Sequence, residues 1–197
     1  MSTHASYAVL PASITENSEC KIIYIHRQPK DMLISYWHFM KPKLGEDYTA
    51  TSISDVWRSI SEEKYFGSPI WEHILGYWYA SKTKSDSVLF LQYDELLHNP
   101  VKNVEKIAEF IGQPFSDAER EAGIVDAIVR LCSFEMLKDL GVNRTGFTGV
   151  GNARVPNELF FRKGTAGDWV NHVTPEMSES LDRFLSEKFH GSGFSLQ

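Results

Sequence analysis

Two short apolar segments set the fold class of this 197-residue chain. KIIYIH, residues 21–26, and VLFLQYD, residues 88–94, are rich in β-branched and aromatic residues and carry apolar side chains on both faces. Such segments are typical of strands buried on both sides of a parallel sheet. Because helical periodicity follows each of them, we predict an α/β fold in which a parallel sheet is flanked by helices.

Apolar residues at helical spacing predict the helices around these strands. One helix is expected over 32–40, with Pro29 at an early position, and another closes the chain over 174–191 with Thr174 as its N-cap. The other predicted segments are helices over 53–66, 71–84, 101–112, 116–131 and 133–139 and a polar loop over 41–52. Residues 141–168 are Gly-rich with little periodicity, so we predict an irregular segment there, which usually carries function.

Composition and charge exclude several classes of protein. The chain is 42% hydrophobic, enough for the core of one domain, and its net charge of −6 argues against nucleic-acid binding through bulk electrostatics. No apolar run reaches the roughly 18 residues of a membrane span, and no Cys/His spacing suggests zinc or another metal. With two cysteines and no signal-peptide pattern, we expect a cytoplasmic protein without a membrane partner.

Three polar residues follow or flank the predicted strands in a way that suits an anion. Arg27 comes directly after the first strand, Ser35 lies about two turns into the next helix, and Tyr93 stands at the end of the second strand. Ligands of open α/β sheets bind at the carboxyl ends of strands, where helix amides and an arginine can hold an anion. Taken singly, each residue fits a surface or sheet-rim position equally well.

A further stretch, FRKGTAGDW at residues 161–169, concentrates positive charge beside glycine. Arg162 offers a planar fork of donors, Lys163 a compact charge, and the amide of Gly164 is unobstructed by a side chain. These are the groups that a phosphate clamp needs, although such tripeptides are also common on ordinary surfaces.

Together, these stretches resemble the sequence blocks of the cytosolic sulfotransferases, and their residues are most similar to those of plant members. RQPKDMLISYWHF is similar to the family's R-N-P-K-D-x-x-x-S-Y-x-H-F, YDELLHNP to Y-D-E-L-L-x-N-P, CSFEMLK to C-S-F-E-x-L-K, and RKGTAGDW to R-K-G-x-x-G-D-W. The blocks occur in order over almost the whole chain. The resemblance implies a P-loop-NTPase-like α/β fold and transfer of a sulfuryl group from 3′-phosphoadenosine 5′-phosphosulfate (PAPS) to a hydroxyl of a small phenol or alcohol.

The resemblance also implies roles for individual positions. It assigns the 3′-phosphate of PAPS to five residues: Arg27, Ser35, Arg162, Lys163 and Gly164. It places three more beside the adenosine: Tyr93, Ser133 and Phe134. Thr3-His4 stands where the family has Lys-Thr-His, which makes His4 the candidate base that takes the proton of the acceptor hydroxyl. No metal is implied.

One family block is not found in the sequence. Members carry a strand followed by a Lys-Ser-Gly-Thr-Thr-type loop that wraps the 5′-phosphosulfate, and neither this loop nor a Walker motif occurs here. Two strong strands are also few for a parallel sheet, so we expect further strands upstream of Met1 or weak in sequence. We therefore predict a single partial sulfotransferase domain over 1–197, lacking the N-terminal strand and the phosphosulfate loop.

The missing loop leaves the activity of the chain open. Because its donors stabilise charge on the leaving group, we expect little or no transfer by this chain alone. The alternative is a non-catalytic remnant that serves as a nucleotide-binding or interaction module. A nucleotide kinase is disfavoured, because it needs the Walker loop.

The resemblance says less about the oligomeric state and the acceptor. Animal members often dimerise through K-x-x-x-T-V-x-x-x-E, but here Val170 and Pro175 replace the Lys and the Val, so a monomer or a weak homodimer is expected. Four aromatic residues are conceivable walls of an acceptor pocket and equally conceivable core residues: Tyr7, Phe66, Trp71 and Phe147. Flavonoids, steroids, hydroxylated hormones and thiohydroximate precursors all stay open as acceptors.

Overall fold

The computed structural model describes residues 2–41, 52–61, 69–150 and 153–196. Within these ranges strand β1 (Ile22–His26) pairs in parallel with strand β2 (Val88–Gln92), with Ile22 opposite Val88. The predicted parallel sheet with flanking helices is therefore confirmed. The prediction that the second strand runs to residue 94 is wrong, because Tyr93 and Asp94 already form the first turn of a helix.

Helices surround the two strands along the whole described chain. They are α1 (Ala12–Thr15), α2 (Pro29–Met40), α3 (Ile53–Ser61), α4 (Ile70–Thr83), α5 (Tyr93–His98), α6 (Pro100–Phe110), α7 (Asp117–Glu121), α8 (Ile124–Leu131), α9 (Phe134–Asp139), α10 (Gly141–Thr145) and α11 (Pro175–Phe189). The predicted positions of α2, α4, α6, α9 and α11 are confirmed, including Thr174 as the N-cap of α11. The end of the helix predicted over 53–66, Phe66 and most of the 41–52 loop lie outside the described residues.

The single helix predicted over 116–131 is wrong. The structure has two helices, α7 and α8, separated at Gly123, whose φ of 70° is left-handed and incompatible with a continuous right-handed helix. A separate capping box, formed by Ser116 and Glu119, begins α7. The apolar periodicity runs across the break, which is why it suggested one helix.

The segment predicted to be irregular, 141–168, is more ordered than expected. It holds α10, an antiparallel hairpin of β3 (Phe147–Val150) and β4 (Ala153–Pro156), and 3₁₀ turns at Asn157–Phe160 and Asp168–Asn171. The buried Asn157 amide organises it, because Nδ2 donates to the carbonyl of Val142 and Oδ1 accepts from Thr148. Hydrogen bonds of a single side chain leave no periodic signal in the sequence.

The main apolar core lies between α2, α3, α4 and α11. Leu181, Leu185 and Phe189 recur at every fourth position of α11 and bury one stripe of that helix, where Trp71 of α4 also packs. Trp71 is thus a core residue. The start of α2 follows the carboxyl end of β1 directly, and hydrogen bonds to Asp31 join it to the turn before α11.

One face of β1 is unusually open for a parallel strand. Tyr24 packs against the core, whereas Ile23 and Ile25 on the opposite face are 38% and 51% exposed. Parallel strands normally bury both faces. In the described part of the chain β1 pairs with β2 alone, so the expectation of further strands stays a prediction.

Candidate functional site

Arg27 stands where β1 ends and contacts two distant parts of the chain. Its Nη2 donates to the carbonyl of Thr165 at 3.0 Å, and its guanidinium lies 4.9 Å from the centre of the Tyr93 ring. Its Nε is buried without a hydrogen-bond partner among the described residues. Because a buried unpaired N–H costs about 1–3 kcal/mol, an acceptor from a ligand would stabilise this position.

The predicted cation pair meets at one buried carboxylate. Arg162 Nη1 lies 2.7 Å from Oδ2 of Asp168, and Lys163 Nζ lies 2.5 Å from Oδ1. Asn171 and His172 complete the surroundings, each with a nitrogen 3.2 Å from an Asp168 oxygen. Hydrogen bonds from Lys163, followed by those from Arg162 and Asn171, hold the pKa of Asp168 well below its usual range despite burial. The carboxylate is therefore charged at neutral pH.

The turn that carries Asp168 is fastened to α2. Asp31, which is 2% exposed, accepts hydrogen bonds from the backbone amides of Gly167 at 2.6 Å and Trp169 at 3.0 Å. Its neighbour Lys30 lies under the Trp169 ring and pairs with Asp182 of α11 at 2.7 Å. The first turn of α2 therefore positions the segment that holds the cations.

Gly164 joins two blocks that are thirty residues apart in the chain. Its φ is 67°, and a Cβ built on it would lie 2.5 Å from the ring of Phe134. The residue therefore has to be glycine both for its backbone and for its neighbour. Ser133 caps α9 by accepting from the amide of Met136 at 3.4 Å, which is a structural contact.

Ser35 and His38 lie one turn apart on α2, so they share a face of that helix. Ser35 is half-buried and makes no side-chain hydrogen bond among the described residues. His38, which sequence reasoning did not single out, packs edge-on against His172, and its buried Nε2 has no hydrogen-bond partner in the part of the chain that the structure describes. Burial, followed by the charge of Arg162, lowers the pKa of His38 to about 4, so this imidazole is neutral beside the cations.

His4 is held by its backbone and exposes its side chain. His73 Nε2 lies 3.1 Å from the carbonyl oxygen of His4, and the hydroxyl of Tyr77 donates to the carbonyl of Ala5. The other His73 nitrogen pairs with the hydroxyl of Tyr24, whose pKa burial raises well above its ordinary value. Tyr24 thus keeps its proton and can donate it to Nδ1, which leaves Nε2–H to bond His4. No described contact joins His4 to the cation site.

The structure thus brings most of the predicted site together. Arg162, Lys163 and Gly164 lie in the segment 162–168. Arg27 donates to the carbonyl of Thr165 in this segment and lies beside the Tyr93 ring, while Phe134 touches Gly164. Sequence reasoning missed the acidic members, Asp31 and Asp168, although both lie inside the quoted motifs. In the described part of the chain no helix is long and apolar enough to cross a membrane, and no cluster of three metal-ligating side chains occurs.

Comparison with known proteins matches these features to a single family. The family model described as "Sulfotransferase domain" matches residues 1–193. A flavonol 3-sulfotransferase of Flaveria bidentis is 42% identical over all of this chain and 63% of its own length. Cytosolic sulfotransferase 5 of Arabidopsis thaliana is 39% identical over 98% of this chain and 58% of its own length.

Solved structures agree with the sequence comparison. The mouse sulfotransferase SULT7A1, crystallised with PAP, superposes with a TM-score of 0.76 at 28% identity, over 97% of this chain and 65% of that structure. Retinol dehydratase superposes with a TM-score of 0.78 over 99% of this chain and 54% of that structure, at 20% identity, a likeness that shows the fold alone.

The chain spans about three fifths of the length of the curated relatives it matches, 63% of the Flaveria bidentis flavonol 3-sulfotransferase. The family model nevertheless covers nearly every residue of the chain, and the fold agrees with that of solved members. This chain belongs to the sulfotransferase family.

Proposed function

We propose that these residues form the part of a PAPS-dependent sulfotransferase that holds the 3′-phosphate of the nucleotide. The observation that carries the proposal is the convergence of Arg27, Arg162 and Lys163 beside Gly164, although the chain as a whole is acidic. When bound, PAPS supplies the sulfuryl group, which in the complete enzyme passes to a hydroxyl of a small acceptor.

The residues present suit a phosphate. Asp168 contacts one terminal nitrogen of Arg162 and the single ammonium nitrogen of Lys163, so further N–H donors of both groups can face a ligand. Charge-assisted bonds of this kind are among the strongest in proteins. The Nε of Arg27, which has no hydrogen-bond partner among the described residues, suits the same phosphate, and the nearby ring of Tyr93 suits the adjoining nucleoside. Ser35 adds a hydroxyl and Ser133 and Phe134 lie toward the base in this proposal.

His4 is the base in this proposal. Its imidazole is exposed, while His73 and Tyr77 fix the backbone beside it. An imidazole is suited to taking the proton of an acceptor hydroxyl near neutral pH. The relatives named flavonol sulfotransferases support a planar phenol as acceptor, and those named cytosolic support a cytoplasmic enzyme. We propose a monomer or a weak homodimer because Val170 and Pro175 replace the Lys and the Val of the animal dimer motif.

The phosphate assignment is tested by calorimetric titration with adenosine 3′,5′-bisphosphate. We expect Arg162→Ala and Lys163→Ala each to weaken binding about tenfold or more, because each removes a charge-assisted contact. Arg120→Ala is the matched control, since Arg120 pairs with Glu105 outside the site. Binding by both site variants with the affinity of the parent would reject the clamp.

A polypeptide of residues 1–197 is expected to transfer little or no sulfuryl group. The sequence contains no loop of the kind that stabilises the leaving group, and losing even one such donor costs about 3 kcal/mol. The assay uses labelled PAPS with flavonol and simple phenol acceptors. Robust turnover would contradict the expectation, whereas nucleotide binding without turnover would favour the alternative of a non-catalytic binding module.

A further inference from the structure

An acidic side chain at the centre of an anion site needs a physical explanation. Asp168 is charged, its side chain is only 4% exposed, and both of its oxygens are engaged. Oδ1 contacts Lys163 and Asn171, while Oδ2 contacts Arg162 and His172. Its negative charge by itself opposes the binding of a phosphate.

We propose that Asp168 is a positioning residue, whose carboxylate holds Arg162 and Lys163 in the geometry that receives the phosphate. The inference rests on the proposed function. Free Arg and Lys side chains lose much rotamer freedom when a ligand immobilises them. Because the carboxylate fixes both cations beforehand, the ligand does not bear that loss, and affinity rises through preorganisation.

Asp31 extends this arrangement into the fold. It binds the amides on either side of Asp168, those of Gly167 and Trp169, so the turn cannot shift along α2. The left-handed backbone of Gly167, with a φ of 81°, turns the chain so that both amides reach the same carboxylate. Two successive carboxylates thus connect the first turn of α2 to the cation pair.

A competing account treats Asp168 as a pseudo-ligand that occupies the cations until a phosphate displaces it. The two accounts predict opposite signs for Asp168→Asn. If the carboxylate competes, removing its charge strengthens nucleotide binding; if it positions, the same change weakens binding even though the site becomes more positive. Asp168 is buried, and Asp31 binds the backbone amides on either side of it. Both observations favour positioning, because the Asp168 carboxylate cannot easily move away from the cations.

The experiment is a calorimetric titration of the full chain with adenosine 3′,5′-bisphosphate. We expect Asp168→Asn to weaken binding about tenfold, which is the usual effect of removing a group that orients the residues in contact with a ligand. Asp31→Asn, which leaves Asp168 in place, is expected to weaken binding in the same direction and provides the test if Asp168→Asn does not fold. Asp117→Asn removes the same charge from an exposed carboxylate that pairs with Arg120 outside the site, and it is expected to bind like the parent.

A double-mutant cycle separates positioning from general damage to the fold. If Asp168 acts through the two cations, Asp168→Asn should weaken binding less in an Arg162→Ala background, where only Lys163 remains for it to position. Full additivity, or binding by Asp168→Asn equal to or tighter than the parent, would overturn the positioning role while Arg162→Ala still supports the clamp. If the parent does not bind the nucleotide, or Arg162→Ala binds as well as the parent, the proposed function and this inference both fail.

Discussion

Gly164 shows at the scale of one residue why the Arg-Lys-Gly block cannot vary freely. A side chain there would enter the space of the Phe134 ring, and the backbone is already in the left-handed region. Gly112 has a similar φ of 78°, but nothing lies within 4 Å of the site of its absent Cβ. The two glycines therefore differ in their surroundings and hardly at all in their backbone.

This difference gives a matched pair of substitutions. Gly112→Ala is expected to cost about 1 kcal/mol of unfolding free energy through backbone strain and to leave nucleotide affinity unchanged. Gly164→Ala carries the same strain and also displaces Phe134 or the adjoining cations, so affinity for adenosine 3′,5′-bisphosphate should fall. Denaturant unfolding and calorimetry measure the two effects. Parental affinity in Gly164→Ala would show that the contact with Phe134 is irrelevant to the site.

The residues of the candidate anion site could be singled out from the sequence because their chemistry is unusual for their position. Arg27 follows a strand, and Arg162 and Lys163 adjoin glycine, so an anion site was the natural interpretation. Asp31 and Asp168 were not predictable in this way, since an acidic residue in an acidic chain carries no signal until its partners are known. His38 had a weak signal, its spacing of three residues from Ser35 on a predicted helix.

At the scale of elements, the carboxyl end of β1 is attached to the end of the chain through a histidine. The His26 ring packs against Phe90 of β2 and edge-on against Phe194 after α11, and it is 6% exposed. Burial lowers the pKa of His26 to about 4, because the charged imidazolium is poorly solvated there. The contact between these elements therefore requires the neutral ring.

A pH dependence of stability follows. Between about pH 6.5 and pH 4 the unfolded chain binds a proton at His26 that the folded chain does not. The free energy of unfolding should thus decrease as the pH falls through this window, by up to about 3 kcal/mol from this residue. The free energy of unfolding, measured by urea titration at several pH values, should depend less on pH in His26→Leu than in the parent. His190→Leu, at an exposed site, is the control. The same dependence of unfolding free energy on pH in all three proteins would contradict the role of His26.

The helices and strands were predictable where apolar periodicity coincides with burial. α2, α4, α6 and α11 follow this rule, as does the parallel pair of strands. The break at Gly123 was missed, because the apolar pattern continues across it. The hairpin and turns between 141 and 168 were missed for a different reason. The Asn157 amide donates to the carbonyl of Val142, and the Asp31 carboxylate accepts from the amide of Gly167. Such bonds form only after distant segments meet.

At the scale of the whole molecule, the proposed function makes the described residues one side of a nucleotide site. The candidate site lies at the carboxyl end of the sheet and includes the cations, Tyr93 and the block around Phe134. One face of the sheet is open at β1, where Ile23 and Ile25 are exposed. Relatives extend beyond the part that this chain matches. In the proposed function, the 3′-phosphate binds to these residues, and the phosphosulfate binds to the phosphosulfate loop, a family block that is not found in this sequence.

The most direct test of this division compares two simple nucleotides on the same polypeptide. Adenosine 3′-monophosphate and adenosine 5′-monophosphate differ only in the position of the phosphate. Calorimetric titration of residues 1–197 should show tighter binding of the 3′-monophosphate, and Arg162→Ala should abolish most of that preference. Equal affinities, or a preference for the 5′-monophosphate, would contradict the assignment of this site to the 3′-phosphate.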